Sequence, residues 1–160
     1  MKILIIYCSE YRNNTEKIAR VFAEKVDSDL INIRDADDID IEKYDLIGFG
    51  SGVYRESLSP KVFKLVEKLN LEGKKTFVFS TSGVGKKFYN SRLIKLLESK
   101  GAKNVGSFAC KGSFTASEFS DKKIFNIMGK LSQGHPNEKD FIEAEKFIEG
   151  IVDSIKNDQA

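Results

Sequence analysis

Residues 2–26 read KILIIYCSEYRNNTEKIARVFAEKV, and this stretch carries the pattern that decides the fold. Lys2 to Tyr7 is a short apolar run, which is typical of a strand buried on both faces of a sheet. Polar residues fill positions 9–15. Apolar residues then recur at the spacing of an amphipathic helix, at Ile18, Val21, Phe22 and Val26. The stretch therefore predicts a strand, a polar loop and a helix.

The same alternation of apolar runs and helical patterns continues along the chain. Further strands are predicted over residues 30–33, 44–50, 75–79 and 105–109. Because parallel neighbours need crossover connections, five buried strands separated by helices predict an α/β fold. We expect a single domain over residues 1–160, a doubly wound five-stranded parallel sheet with strand order 2-1-3-4-5. Its ligand crevice would open at the carboxyl ends of the strands, near loops 8–15, 50–58, 80–88 and 110–120.

The helix boundaries carry their own signals. Ser59–Pro60 opens a helix, since proline suits the first helical turn. Gly101 is expected to end the next helix in a left-handed conformation. Asn137 is expected to cap the last helix. Residues 111–135 look irregular, with a short helix predicted over 123–131.

Composition excludes several classes of protein. The chain has 160 residues, with 26 lysines and arginines against 24 acids and a net charge of +2, which argues against a polybasic nucleic-acid binder. No apolar run is long enough to span a membrane, and the first apolar stretch is too short for a signal peptide, so a cytoplasmic protein is expected. One histidine and two distant cysteines, Cys8 and Cys110, exclude a histidine-rich metal site and a disulfide scaffold.

The first loop offers an anion site. Backbone N–H groups and the positive dipole end of a following helix attract phosphate. Ser9, Asn13, Asn14 and Thr15 can donate further hydrogen bonds. Asn and Thr also favour helix starts as ordinary N-caps, and the loop alone leaves both interpretations open.

Three other phosphate sites of similar folds can be tested against the sequence. No glycine occurs in residues 8–15, which excludes the dinucleotide fingerprint G-x-G-x-x-G. The stretch 80–87 approaches a P-loop but has Ser80 for the first glycine and Lys87 for the hydroxyl residue. A phosphoacceptor domain would need acidic residues where this chain has Cys8 and Ser9.

Two later loops suit a flat redox-active ring. Residues 50–54, GSGVY, bring small residues that let backbone approach a ligand, followed by an aromatic that could stack on it. Residues 81–85, TSGVG, offer N–H groups and hydroxyls at the end of the fourth predicted strand.

These pieces together resemble the flavodoxin family. The segment from Ser9 through Asn14-Thr15-Glu16-Lys17-Ile18-Ala19 resembles its phosphate loop, 50–54 its second flavin loop and 79–83 its third. Residues 110–112 and 134–140 are similar to segments of short flavodoxin-like proteins. The order and spacing of these motifs carry the resemblance, which covers nearly the whole chain.

The resemblance implies FMN as the cofactor and a set of binding residues. The FMN phosphate would lie on Ser9, Tyr11, Arg12, Asn13, Asn14 and Thr15. The isoalloxazine ring would stack on Tyr54 between the second and third loops, with Ser51, Gly52, Val53, Thr81, Ser82 and Gly83 around it. Arg55 stands where the family often has glycine, and its charge is expected to stabilise the reduced flavin.

The implied function is a carrier that shuttles electrons between redox partner proteins. An FMN-dependent NAD(P)H:quinone-type oxidoreductase and a flavin-free binding module are the alternatives. Three acids lie on the four loops, Glu10, Glu56 and Glu118, against five cations: Arg12, Arg55, Lys86, Lys87 and Lys111. This local excess predicts a redox partner with an acidic docking surface. His135 is expected to be an ordinary loop residue.

Overall fold

The structure, a computed structural model, describes residues 1–114 and 130–160. The strands are β1 (Ile3–Cys8), β2 (Asp29–Asn32), β3 (Leu46–Tyr54), β4 (Ser57–Leu58), β5 (Lys75–Ser82) and β6 (Lys103–Lys111). The helices are α1 (Asn14–Val26), α2 (Pro60–Lys68), α3 (Ser91–Ser99) and α4 (Glu138–Gln159), with 3₁₀ turns at Ile33–Asp35 and Lys87–Asn90.

The strands form one sheet in the order β2-β1-β3-β5-β6, and these five strands are parallel. This confirms the predicted doubly wound α/β fold, because the five strands keep the predicted order. The difference in detail is β4, an additional two-residue strand antiparallel to the end of β3. With β4 counted, the predicted fourth and fifth strands become β5 and β6.

The strands extend further toward the site than predicted. β3 continues through Tyr54, so residues 51–54 lie on a strand, and the prediction of a loop from residue 50 onward was wrong there. Arg55 and Glu56 then form a two-residue turn with φ angles of 48° and 67°. A turn with two positive φ angles matches strand twist, which explains why β3 returns directly as β4. β5 likewise continues through Ser82.

Aromatic rings fill one face of the sheet under α1 and α4. Side chains at Gly48 and Gly50 of β3 would overlap the rings of Phe77 and Phe79 on β5, so these glycines leave the space that the rings occupy. Phe22 of α1 meets both rings edge-on, with centroid distances of 5.7 Å to Phe77 and 5.0 Å to Phe79. This contact fixes α1, and with it the loop at its amino end, over the sheet.

The helix boundaries follow the predicted signals. Pro60 lies in the first turn of α2, and Ser59 accepts a hydrogen bond of 3.3 Å from Lys61 N–H. Gly101 ends α3 with a φ angle of 84°. Asn137 caps α4 in a reciprocal capping box with Asp140.

The short helix predicted over 123–131 lies outside the described residues except for 130 and 131, which are helical. Among the helices that the structure describes, none has the length and apolar character needed to cross a membrane.

We expect Gly48→Ala to lower the free energy of unfolding by about 1–3 kcal/mol, because a methyl group there overlaps the buried Phe77 ring. Gly150→Ala is the matched control, since a Cβ at this exposed position of α4 meets nothing within 4 Å. It should raise stability by about 0.5–1 kcal/mol through helix propensity. Urea denaturation measures both, and a Gly48→Ala protein as stable as the parent would contradict the packing argument.

Candidate functional site

Three predicted segments meet at the carboxyl edge of the sheet. The hydroxyls of Thr15 and Thr81 lie 2.8 Å apart, joining the first loop to the end of β5. Glu10 N–H donates a 3.1 Å hydrogen bond to Tyr54 Oη, joining the same loop to the end of β3. The predicted residues of loops one, two and three therefore form one cluster.

The loop over residues 9–15 enters α1 through two residues in the left-handed conformation. Arg12 and Asn13 have φ angles of 48° and 55°, immediately before α1 begins at Asn14. Asparagine adopts this left-handed conformation more readily than most residues, which explains how Asn13 replaces a glycine here. Asn13 occupies the N-cap position of α1, but its side chain makes no cap hydrogen bond. The first N–H groups of a helix have no partner within the helix and can bind an anion.

Two buried polar atoms in this loop lack hydrogen-bond partners among the described residues. They are Ser9 Oγ and Asn14 Oδ1. The amide nitrogen of Asn14 does have a partner, since it donates 2.8 Å to the carbonyl of Ser113. A buried polar atom without a partner destabilises the protein by about 1–3 kcal/mol, so such atoms point to a missing ligand or water.

Tyr54 lies against the first loop. A Cβ added to Gly52 would lie 2.7 Å from Tyr54 Oη, so the tyrosine packs directly on this glycine. Burial is the main cause that raises the pKa of Tyr54 to about 12, while the hydrogen bond from Glu10 N–H opposes it. The phenol is therefore neutral at physiological pH and presents a hydroxyl to the loop.

Two other residues predicted near the ring, Ser51 and Ser82, have side chains that form hydrogen bonds within the protein. Ser51 is fully buried, and its Oγ donates to Gly52 O at 2.7 Å and accepts from Ser59 N–H at 2.9 Å. Ser82 Oγ accepts from Gly85 N–H at 2.8 Å. These two hydroxyls stabilise the turns, and only their backbone could meet a ligand.

Side chains of the protein cover the glycines at the ends of β3 and β5. Val53 is half-buried and pairs with Leu58 of β4. Gly83 follows β5, and the ring of Phe114 packs directly on it. Aromatic rings of the protein thus lie on Gly52 and on Gly83 and occupy the space above both glycines.

Sequence analysis missed a hydrogen-bonded chain behind the first loop. The Ser113 hydroxyl donates 2.7 Å to the carbonyl of His135, and His135 Nδ1 lies 2.6 Å from Asp140 Oδ2. With the Asn14–Ser113 contact, this chain joins the loop to the capping box of α4. The signal was present in segments 110–112 and 134–140, which resemble the family but had no assigned role.

Charge around the cluster is uneven, as predicted. Arg12, Arg55, Lys86 and Lys87 are exposed, and Lys111 is half-buried. Glu10, one of the acids in these segments, forms an ion pair with Lys61 of α2. Lys61 was not in the predicted set, because it lies on α2 and no sequence motif marks it as part of the site.

The two cysteines lie on separate strands. Cys8 ends β1 and Cys110 lies near the end of β6, with β3 and β5 between them, and both are free and buried. Burial raises the pKa of each thiol. Both thiols are therefore protonated at neutral pH.

The residues present fit FMN in two respects. The Ser9 hydroxyl can donate to a phosphate oxygen, and Asn14 Oδ1 can accept from a sugar-alcohol hydroxyl. The amino end of α1 favours an anion.

Comparison with known proteins gives a consistent result. The model of the flavodoxin domain family matches residues 4–139. A relative from Methanocaldococcus jannaschii, described as an uncharacterized protein, is 40% identical over 154 residues, covering 95% of this chain and 99% of that protein.

Solved structures share the fold at low identity. An archaeal flavodoxin matches with a TM-score of 0.68 and 16% identity, covering 98% of this chain and 99% of that one. The rubredoxin oxygen:oxidoreductase of Desulfovibrio gigas matches with a TM-score of 0.73 and 17% identity, covering 99% of this chain and 37% of that one. A Lactobacillus acidophilus flavoprotein in complex with FMN matches with a TM-score of 0.57 and 22% identity, covering 75% of this chain and 99% of that one.

The raised pKa of Tyr54 predicts a loss of stability at alkaline pH. Its value rises from 10 in the unfolded chain to about 12 in the folded protein. The neutral phenol therefore stabilises the protein below about pH 10, and this contribution is lost as pH rises toward about 12. Tyr54→Phe should flatten the fall in unfolding free energy across that interval, measured by denaturation at several pH values. An unchanged slope would contradict the burial of this hydroxyl.

Proposed function

The chain belongs to the flavodoxin domain family, and on that premise we propose that it binds FMN and carries electrons between redox proteins. The observation that carries the proposal is the pair of buried, unpartnered atoms Ser9 Oγ and Asn14 Oδ1 at the amino end of α1. Groups of this kind suit a phosphate ester and its hydroxylated chain.

The phosphate would be held by the first loop. Ser9, Tyr11, Arg12, Asn13, Asn14 and Thr15 are the residues proposed for it. The left-handed backbone at Arg12 and Asn13 turns the chain into α1, whose first N–H groups lie at the loop. Arg12 is exposed, so its charge would add attraction at the rim of the site.

The ring would lie between the ends of β3 and β5. Ser51, Gly52, Val53 and Tyr54 would form one wall, and Thr81, Ser82 and Gly83 the other. Tyr54 Oη accepts from Glu10 N–H in the first loop, so flavin and tyrosine would share this part of the loop. When bound, FMN supplies the redox chemistry, while these residues position it and exclude water.

Known relatives support this assignment. The solved structures similar to this chain include proteins described as flavodoxins and one flavoprotein in complex with FMN. At their low sequence identity they support the shared fold, and the ligand is inferred from the loop described above.

An exposed surface beside the third loop fits a partner protein. Phe88 is 64% exposed, and its ring centroid lies 4.0 Å from that of Tyr89. Lys86 and Lys87 precede it and are exposed. An aromatic surrounded by cations, at the edge where the ring would lie, suits an acidic redox partner.

Flavin titration tests the cofactor proposal. The purified full chain should bind FMN and quench its fluorescence, and it should bind riboflavin at least about tenfold more weakly, because riboflavin lacks the phosphate. Ser9→Ala should weaken FMN binding and leave riboflavin binding nearly unchanged. Ser28→Ala is the matched control, since Ser28 Oγ is also buried without a partner but lies between α1 and β2, at the opposite edge of the sheet.

Two outcomes would overturn this proposal. A colourless protein that takes up no FMN would reject the cofactor, and equal affinity for FMN and riboflavin would reject the phosphate loop. Rapid steady-state turnover of NADH or NADPH with a quinone would replace the carrier with a reductase.

Small oxidants of opposite charge test the docking surface. The reduced, FMN-loaded protein should reduce anionic ferricyanide faster than cationic hexaamminecobalt(III) after allowance for their driving forces, and added salt should slow the ferricyanide reaction. Lys86→Glu/Lys87→Glu should lower the ferricyanide rate constant about threefold or more at low salt.

The control for this experiment is Lys43→Glu/Lys103→Glu. It changes the net charge equally, but both lysines are exposed near the amino ends of β3 and β6, at the opposite edge of the sheet. An equal effect of the two double variants would show that net charge alone governs the rate and would reject the docking surface.

A further inference from the structure

A cavity of about 630 Å³ lies between α2 and the end of β2, and we call it the α2 cavity. Its floor is the carboxyl end of β1, at Cys8 and Ser9. Its walls come from residues 32–37 and from α2. This volume is within the range of small-molecule binding sites.

The α2 cavity has more cations than carboxylates. Lys61 and Lys68 line it, but Lys61 is paired with Glu10, and Lys68 Nζ lies 3.9 Å from Asp37. Arg34 and Lys64 also line it. Within residues 1–114 and 130–160, these last two have no ion-pair partner. Two positive charges are therefore left for a ligand.

The cations are close enough to influence one another. The hydrogen bond from Lys61 to Glu10 raises the pKa of Lys61, and the charge of Arg34 opposes that rise. Like charges that share one cavity repel, and an anion between them relieves the repulsion. Burial raises the pKa of the Cys8 thiol, so the floor adds no negative charge.

The remaining lining suits an organic body attached to the anion. Leu65 is buried, and Ile33 is half-buried, so both offer apolar contact along the cavity wall. Asn32 adds a polar side chain. A bare inorganic ion would use the cations and leave the apolar wall without a role.

The α2 cavity is separate from the proposed ring site. Its lining contains no residue of 51–54 or 81–83, although it shares Ser9 and Glu10 with the first loop. A ligand held by Arg34 and Lys64 and a flavin between β3 and β5 would contact different side chains. The two could therefore bind together.

We propose that the α2 cavity binds a small organic phosphate monoester, with Arg34 and Lys64 contacting the phosphate and with Ile33 and Leu65 contacting the organic body. A phosphate monoester is close to a dianion at neutral pH, so it matches two unpartnered cations better than a single carboxylate does. Arginine adds a planar fork suited to phosphate oxygens. This inference stands without the FMN proposal.

Calorimetric titration of the full chain with AMP tests the proposal, both without flavin and with saturating FMN. AMP should bind in a 1:1 ratio under both conditions, and adenosine and inorganic phosphate should each bind at least about tenfold more weakly. Arg34→Ala/Lys64→Ala should weaken AMP binding by about tenfold or more and leave FMN uptake unchanged. Lys43→Ala/Lys103→Ala is the control of equal charge change and should bind AMP like the parent.

Each contrary result has a defined meaning. No binding of AMP, or equal AMP affinity in the parent and in Arg34→Ala/Lys64→Ala, would overturn the site, provided that thermal unfolding shows both proteins folded. Loss of AMP binding at saturating FMN would place AMP on the first loop and also overturn it. If inorganic phosphate binds as tightly as AMP, the proposed contact of Ile33 and Leu65 with the organic body is wrong. Failure to bind FMN leaves this test intact, because the flavin-free titration still applies.

Discussion

The position of the candidate site depends on how Phe22 packs beneath it. Its ring lies edge-on to Phe77 and Phe79, which reach it only because Gly48 and Gly50 of β3 carry no side chains. The helix that carries Phe22 begins at the first loop, so the aromatic contact sets the height and direction of that loop above the sheet. The core and the site are therefore coupled through α1, and a change in core volume would shift the position of the loop.

The sheet could be predicted because its strands are buried on both faces and read as apolar runs. Their order follows from the crossover helices between them. The ends of β3 and β5 could not be predicted, since the stretch from Gly50 to Tyr54 is made of small and polar residues without an apolar run. The turn at Arg55–Glu56 also lacks the Asn-Gly or Asp-Gly pair typical of its type, so β4 gave no signal.

For the site, sequence could predict which loops meet but not which atoms touch. Loop positions follow from the carboxyl ends of parallel strands. The contact of Thr15 with Thr81 joins residues 66 positions apart, and that of Asn14 with Ser113 joins residues 99 apart. Such contacts depend on strand register and helix placement, and a short stretch of sequence determines neither of them. The α2 cavity is a space between elements, and no motif marks it.

The hydrogen-bonded chain from Asn14 through Ser113 to His135 and Asp140 has a consequence for protein synthesis. The first loop leaves the ribosome well before its partners, the first of which, Ser113, follows Asn14 by 99 positions. The face of the sheet under α1 also stays uncovered until α4 emerges, because α4 packs against α1. A nascent chain therefore carries an incomplete site until Ser113, His135, Asp140 and α4 have emerged.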